Sequence, residues 1–169
     1  MMAPVTLTNH DEHDLREHEA SLLAREAELL RAEVALREHA DPELAARLEA
    51  ARARVELPED TTQRVEETLR HLASSPRDLA GAVRGHRVAC VEIEAKTAAL
   101  WLEALSTDDL ARRAGILHAI RLQNQQRARA LLAWQKTIDD ARRRVHLAQQ
   151  LAGQLDPRAE LSPPSRNAA

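Results

Sequence analysis

The sequence predicts an all-α protein: an antiparallel coiled-coil helical hairpin with additional helices forming an elongated bundle. Three observations carry this. The chain has no Phe, no Tyr and two Trp, yet is 44% hydrophobic, and that apolar fraction is mostly Ala and Leu. Together with 30% charged residues and four Gly in 169 residues, this is the composition of long, closely packed helices. Next, residues 107–155 repeat in sevens. One column reads Leu110, Leu117, Asn124, Leu131, Ile138, Val145, Ala152, and its companion reads Arg113, Ile120, Arg127, Trp134, Ala141, Ala148, Leu155. Apolar residues alternating three and four apart mark a helix packed along its whole length, here about 73 Å at ~1.5 Å per residue. Finally, a heptad run before it is separated only by Ser106-Thr107-Asp108-Asp109. Two helices joined by so short a link must be antiparallel.

Taken in order, residues 1–10 show no periodicity and are expected to be a flexible N-terminus. Residues 11–75 are expected to supply N-terminal helices that pack on the bundle. In the first, Leu15, Leu22, Leu29 and Leu36 form one column, and Ala20, Leu23, Ala27, Leu30 and Val34 form a second about 100° around the cylinder. Two apolar stripes predict two neighbours. Asp41 and Pro42 suit the cap and first position of a second helix running to about Val55. Leu57-Pro58 breaks it, and a short helix follows with Val65, Leu69 and Leu72.

Ser75, Pro76 and Asp78 then read as a capping box that starts a fresh helix, so the hairpin is expected over residues 76–155. Its first arm carries Val88, Val91, Ala95, Ala98, Leu102 and Leu105 as the expected seam, after Gly81 and Gly85. A second capping box, Ser106 with Asp109, opens the long arm. That arm outruns the first, so its last turns, Ile138 to Leu155, are expected to be open to outside partners. By the same count Asn124 and Arg127 fall opposite Val88 to Gly85, where the glycines would make room. Residues 156–169, with Pro157, Pro163 and Pro164, are expected to be a disordered Pro-rich tail.

Charge is unevenly spread. Residues 11–57 carry thirteen acidic and seven basic side chains, whereas residues 107–155 carry nine basic and four acidic. Acidic and basic helices facing each other would explain this; so would a nucleic-acid partner on the basic face of residues 112–144. Acid precedes base by four residues at Glu12/Arg16, Glu66/Arg70, Asp109/Arg113 and Asp139/Arg143, a helix-stabilising surface pattern. The lone Cys90 excludes an intramolecular disulfide and reads as a small buried hydrophobe. No run of 18 apolar residues occurs and the first residues lack the pattern of a signal peptide, so a cytoplasmic protein without a membrane partner is expected.

The candidate chemistry is sparse. His10, His13, Glu17, Asp14 and His18 could grip a divalent metal at helical spacing, but neither His-Glu-x-x-His nor Glu-x-x-His occurs in the chain. Glu19, Glu26 and Glu33 form a carboxylate column between the apolar stripes, with the Arg-rich long helix as the expected source of partners. Asn124 at a seam position would fix register at some cost in stability, with Arg127 beside it. No glycine-rich phosphate loop, nucleophile elbow or paired catalytic carboxylates are present. No catalytic residue, cofactor site, resident metal or small-molecule substrate is therefore expected. The expected function is that of a non-enzymatic scaffold, adaptor or assembly protein working through helix–helix contact, with protein partners or self-association. A nucleic-acid-associated protein and a metal-binding bundle are the alternatives.

Overall fold

The computed structural model describes residues 9–38, 42–54 and 56–155. Four helices account for nearly all of them: α1 (Asn9–Glu38), α2 (Pro42–Arg54), α3 (Glu59–Ser106) and α4 (Leu110–Gln154). No strand occurs among the described residues. Of the expected flexible residues 1–10, Asn9 and His10 already belong to α1 and the rest lie outside the described residues, as do the Asp41 cap and the Pro-rich tail.

The helix ends follow local chemistry. The Pro58 carbonyl accepts the N–H groups of Thr61 and Thr62, each at 2.9 Å, which opens α3 directly after the Leu57-Pro58 break. At the hairpin turn the cap differs from the expected box. Asp109 Oδ1 accepts from the Ala111 and Arg112 amides at 2.9 and 3.3 Å, and its carbonyl takes the first helical bond from Arg113. Asp109 is thus the N-cap of α4. The Ser106 hydroxyl instead donates back to the Glu103 carbonyl, finishing α3.

The largest departure is at Pro76. Instead of starting a helix, it lies inside α3, which runs unbroken through it. A proline there removes one helical hydrogen bond, to the Leu72 carbonyl, and costs about 3 kcal/mol. Buried Val65 and Leu79, on either side, hold the helix in place against that penalty. The neighbouring Ser74 hydroxyl donates back to the His71 carbonyl at 3.4 Å, and the side chain of Ser75, the expected cap, lies outside the described residues. The first arm is consequently 48 residues long and matches the 45 of α4.

The chain divides into two compact units. One contains α1 up to Glu33 with Ala80–Ile138 of α3 and α4. Its core gathers Leu15, Trp101, Ala104, Ile116, Leu117 and Ile120, with Leu22, Leu29, Leu131, Trp134 and Ile138 also buried. Within it α3 and α4 run antiparallel, as the pairs Glu103 with Arg112 and Glu94 with Arg127 require. The other unit contains Val34–Leu79 and the chain from Asp139 onward. There Leu44, Leu48, Val65, Ala148, Leu151 and Ala152 form the core, flanked by Leu57, Leu69, Leu72 and Leu155. The last turns of α4 are therefore covered by α2 and the start of α3, not left open for outside partners. Each fully buried Leu or Ile contributes about 1.5–3 kcal/mol.

Candidate functional site

Burial along α4 follows the expected columns: Leu117, Ile120, Asn124, Arg127, Leu131, Trp134, Ile138, Ala148 and Ala152 are all buried. Arg113, Ala141, Val145 and Leu155 of the same columns are half-buried, and Leu110, at the first position of the helix, projects into solvent.

On α3 the expected seam is the wrong face. Val88, Val91, Leu102 and Leu105 are between 51% and 70% exposed, and Ala95 and Ala98 are exposed with them. The buried face is instead Leu79, Val83, Cys90, Ile93, Thr97, Trp101 and Ala104. Thr97 joins it at little cost, since its hydroxyl donates to the Ile93 carbonyl at 2.9 Å. Gly81 and Gly85 make room for nothing: a Cβ on either would meet open space. On α1 the leucine column Leu15, Leu22 and Leu29 is buried as expected, but the second stripe is largely uncovered, with Leu23 and Val34 about half exposed.

What α1 turns toward the core between its leucines is the glutamate column. Glu19, Glu26 and Glu33 alternate three and four residues with Leu15, Leu22 and Leu29, so carboxylates occupy one of the two seam columns. Arg127 is only 4% exposed and donates from Nη2 to Glu26 Oε2 at 2.5 Å, with Glu94 of α3 3.6 Å from the same nitrogen. Asn124, 1% exposed, donates from Nδ2 to Glu19 Oε1 at 3.4 Å. The same oxygen accepts the Trp101 indole N–H at 2.7 Å, while the Arg16 guanidinium lies 4.4 Å over the indole ring. Glu33, expected to find its partner on the long helix, is buried and meets Arg87 of α3 at 3.6 Å. Asn124 and Arg127 thus answer α1, and not the Val88 to Gly85 region. Trp101 was not singled out by periodicity; its one signal is a position three residues before Ala104 on the face that α3 buries.

The same ladder continues toward the hairpin turn. Arg113 pairs with Glu12 and Arg121 lies 3.9 Å from Asp11, so acidic α1 and basic α4 neutralise each other. Arg112 pairs with Glu103 at 2.7 Å, and Arg142 and Arg143 approach Asp139 and Asp140 at 3.5 and 3.8 Å. Several charges expected to pair along one helix pair between helices instead: Glu12 with Arg113, and Glu66 with Arg52 at 2.6 Å. Of the basic face, Arg113 and Arg127 are covered, whereas Arg112, Arg121, Arg129, Lys136 and Arg142 to Arg144 are exposed.

Among the described residues no group of three or more His, Cys, Asp or Glu could hold a metal ion. His13 approaches Glu17 at 3.2 Å as an exposed i,i+4 pair, His18 is exposed, and the His10 side chain lies outside the described residues. Cys90 is buried on the α3 seam itself; burial, and then the Glu26 carboxylate, push its thiol above the ordinary value. In the second unit an apolar cleft of about 110 Å³ lies between Thr68, His71, Leu72 and the Arg144 to Ala148 turn. Ligand pockets run to roughly 300–1,000 Å³, so this cleft suits only a very small occupant. None of the described helices is long and apolar enough to cross a membrane.

No protein-family model, no curated protein and no solved structure matches the chain.

Proposed function

We propose that this protein is a non-enzymatic scaffold, adaptor or assembly factor that holds a partner helix along the outer face of α3. One observation carries the reading. α3 bears two apolar faces: the chain covers one, while the other, Val88 to Leu105, stays exposed over six successive positions at three-four spacing. Isolated exposed apolar residues are ordinary, but a continuous row at that spacing is what a docked helix requires.

A nucleic-acid role draws less support. Arg112, Arg113, Arg121 and Arg127 all face acidic side chains of the same chain, which leaves few cations to neutralise phosphates. A resident metal has even less to rest on, since His13 and Glu17 face each other without a third ligand among the described residues.

Site-specific photo-crosslinking in cells tests the reading. A photoreactive residue at Ala98 should capture a helical protein segment, whereas one at exposed Arg129 should not. Equal yields from the two positions, or none from Ala98, would reject helix docking; nucleic acid captured at Arg129 would favour the basic face instead.

A further inference from the structure

We infer that the occupant of the α3 stripe is a second copy of this chain, bound antiparallel through the same stripe. The inference rests on the helix-docking reading and specifies its partner.

The residues of the stripe complement themselves in only one direction. With the two-fold axis between Ala95 and Ala98, Val88 meets Leu105 of the other copy, Val91 meets Leu102, and Ala95 meets Ala98. Each contact is then repeated by symmetry, as a two-fold interface demands. Val–Leu layers stand at both ends of a run of about 25 Å, with two Ala layers between that let the backbones approach. A parallel pair would stack Val on Val at one end, Leu on Leu at the other and Ala between, forcing the axes to splay.

Charge selects the same direction. Arg84 and Arg87 lie at the N-terminal end of the stripe, and Asp108 and Asp109 lie just past its C-terminal end. Antiparallel pairing brings Arg84 at each end toward the exposed Asp108 of the other copy, while Arg87 stays with Glu33 and Asp109 with the amides it caps. Parallel pairing would set Arg84 against Arg84. Within the stripe, from Val88 to Leu105, no seam position is charged. The chain's own remaining segments are poor occupants by sequence: residues 1–8 and 156–169 contain no apolar heptad to fill six layers.

Sedimentation equilibrium on the full chain, with Leu102→Glu and Leu23→Glu variants, tests this. The expected result is a wild-type mass twice the 18.8 kDa of one chain. Leu102→Glu, which buries an unpaired carboxylate in the interface, should weaken association about a hundredfold. Leu23→Glu, on the uncovered stripe of α1, should leave the dimer intact. Circular dichroism confirms that each variant remains helical. Direction is read by mixing Val91→Cys and Leu102→Cys proteins, since only antiparallel pairing joins 91 to 102 in a disulfide.

A monomeric wild type overturns the second-copy inference and leaves helix docking to the crosslinking experiment. A dimer that survives Leu102→Glu, or is broken by Leu23→Glu, overturns both the inference and this location for docking. Homodisulfides at 91 without the mixed 91–102 product overturn the antiparallel arrangement.

Discussion

Arg127 of α4 and Glu26 of α1 meet at 2.5 Å in the interior of their unit, with the arginine side chain 5% exposed and the glutamate 16%. An ion pair at this depth loses most of the hydration of both partners, so its attraction mainly offsets a desolvation cost. What it supplies is alignment: slipping α1 by one heptad would leave Arg127 facing the wrong carboxylate.

The pair therefore behaves differently when broken and when replaced. Arg127→Leu should destabilise the chain by about 2–4 kcal/mol, because Glu26 then keeps a half-buried charge without its main cation. Adding Glu26→Leu should restore most of that loss. Urea unfolding of the two single variants and the double variant measures the coupling; additive losses would show that the pair is solvated and contributes no alignment.

Asn124 sits one turn before Arg127 and shares Glu19 with Trp101. Asn124→Leu should raise the unfolding free energy by roughly 1 kcal/mol, since Glu19 keeps the indole bond and an apolar side chain suits the site. The same change should loosen register between α1 and α4, visible as a broader spin-label distance distribution between the two helices. A drop in stability would mean that the amide contributes more than alignment.

These residues also show how far the sequence could be read. The α4 seam is legible because its two columns, Arg113 apart, are apolar on both sides of the Asn124–Arg127 layer, so one face alone satisfies the pattern. α3 offers two faces, and the more uniformly aliphatic one, Val88 to Leu105, is outside. The inner face mixes Cys90, Thr97 and Trp101, and apolar content does not decide between them. What decides is the neighbour: α1 contributes glutamates at alternate seam positions, and Asn124 and Arg127 of α4, with Trp101 and Arg87 of α3, make that column a packing surface. Pro76 departs from its local signal for a related reason. Its local start signal is real, but packing on both sides outweighs one lost hydrogen bond.

Pro76→Ala follows from that conflict. With α3 helical on both sides, the substitution restores the bond to the Leu72 carbonyl and should stabilise the chain by about 1–3 kcal/mol after the greater freedom of the unfolded chain is counted. Thermal unfolding followed by circular dichroism reads it. A neutral or destabilising result would place a helix start at Pro76 after all.

Gly85 and Gly115 are helical and face open space, so a methyl group on either clashes with nothing. Gly85→Ala and Gly115→Ala should each add about 0.5–1 kcal/mol. A loss at either site would reveal a contact on that face, and at Gly85 a loss seen only at high protein concentration would place it in the proposed interface.

Cys90 gives the pH dependence. Burial, then the nearby Glu26 carboxylate, raise its thiol above the ordinary 9.0, with Glu94 adding to the rise and Arg127 opposing it. Below that value both folded and unfolded chains carry the neutral thiol, and Cys90 leaves stability independent of pH. Above it the unfolded chain ionises first, so stability falls as pH rises toward the folded-state value. One proton limits the slope to about 1.4 kcal/mol per pH unit. Cys90→Ala costs some packing at every pH but removes this alkaline limb. Urea midpoints at pH 8 and pH 10 should therefore fall further for the wild type than for Cys90→Ala; parallel declines in the two proteins would show that the thiol is not held neutral by its surroundings.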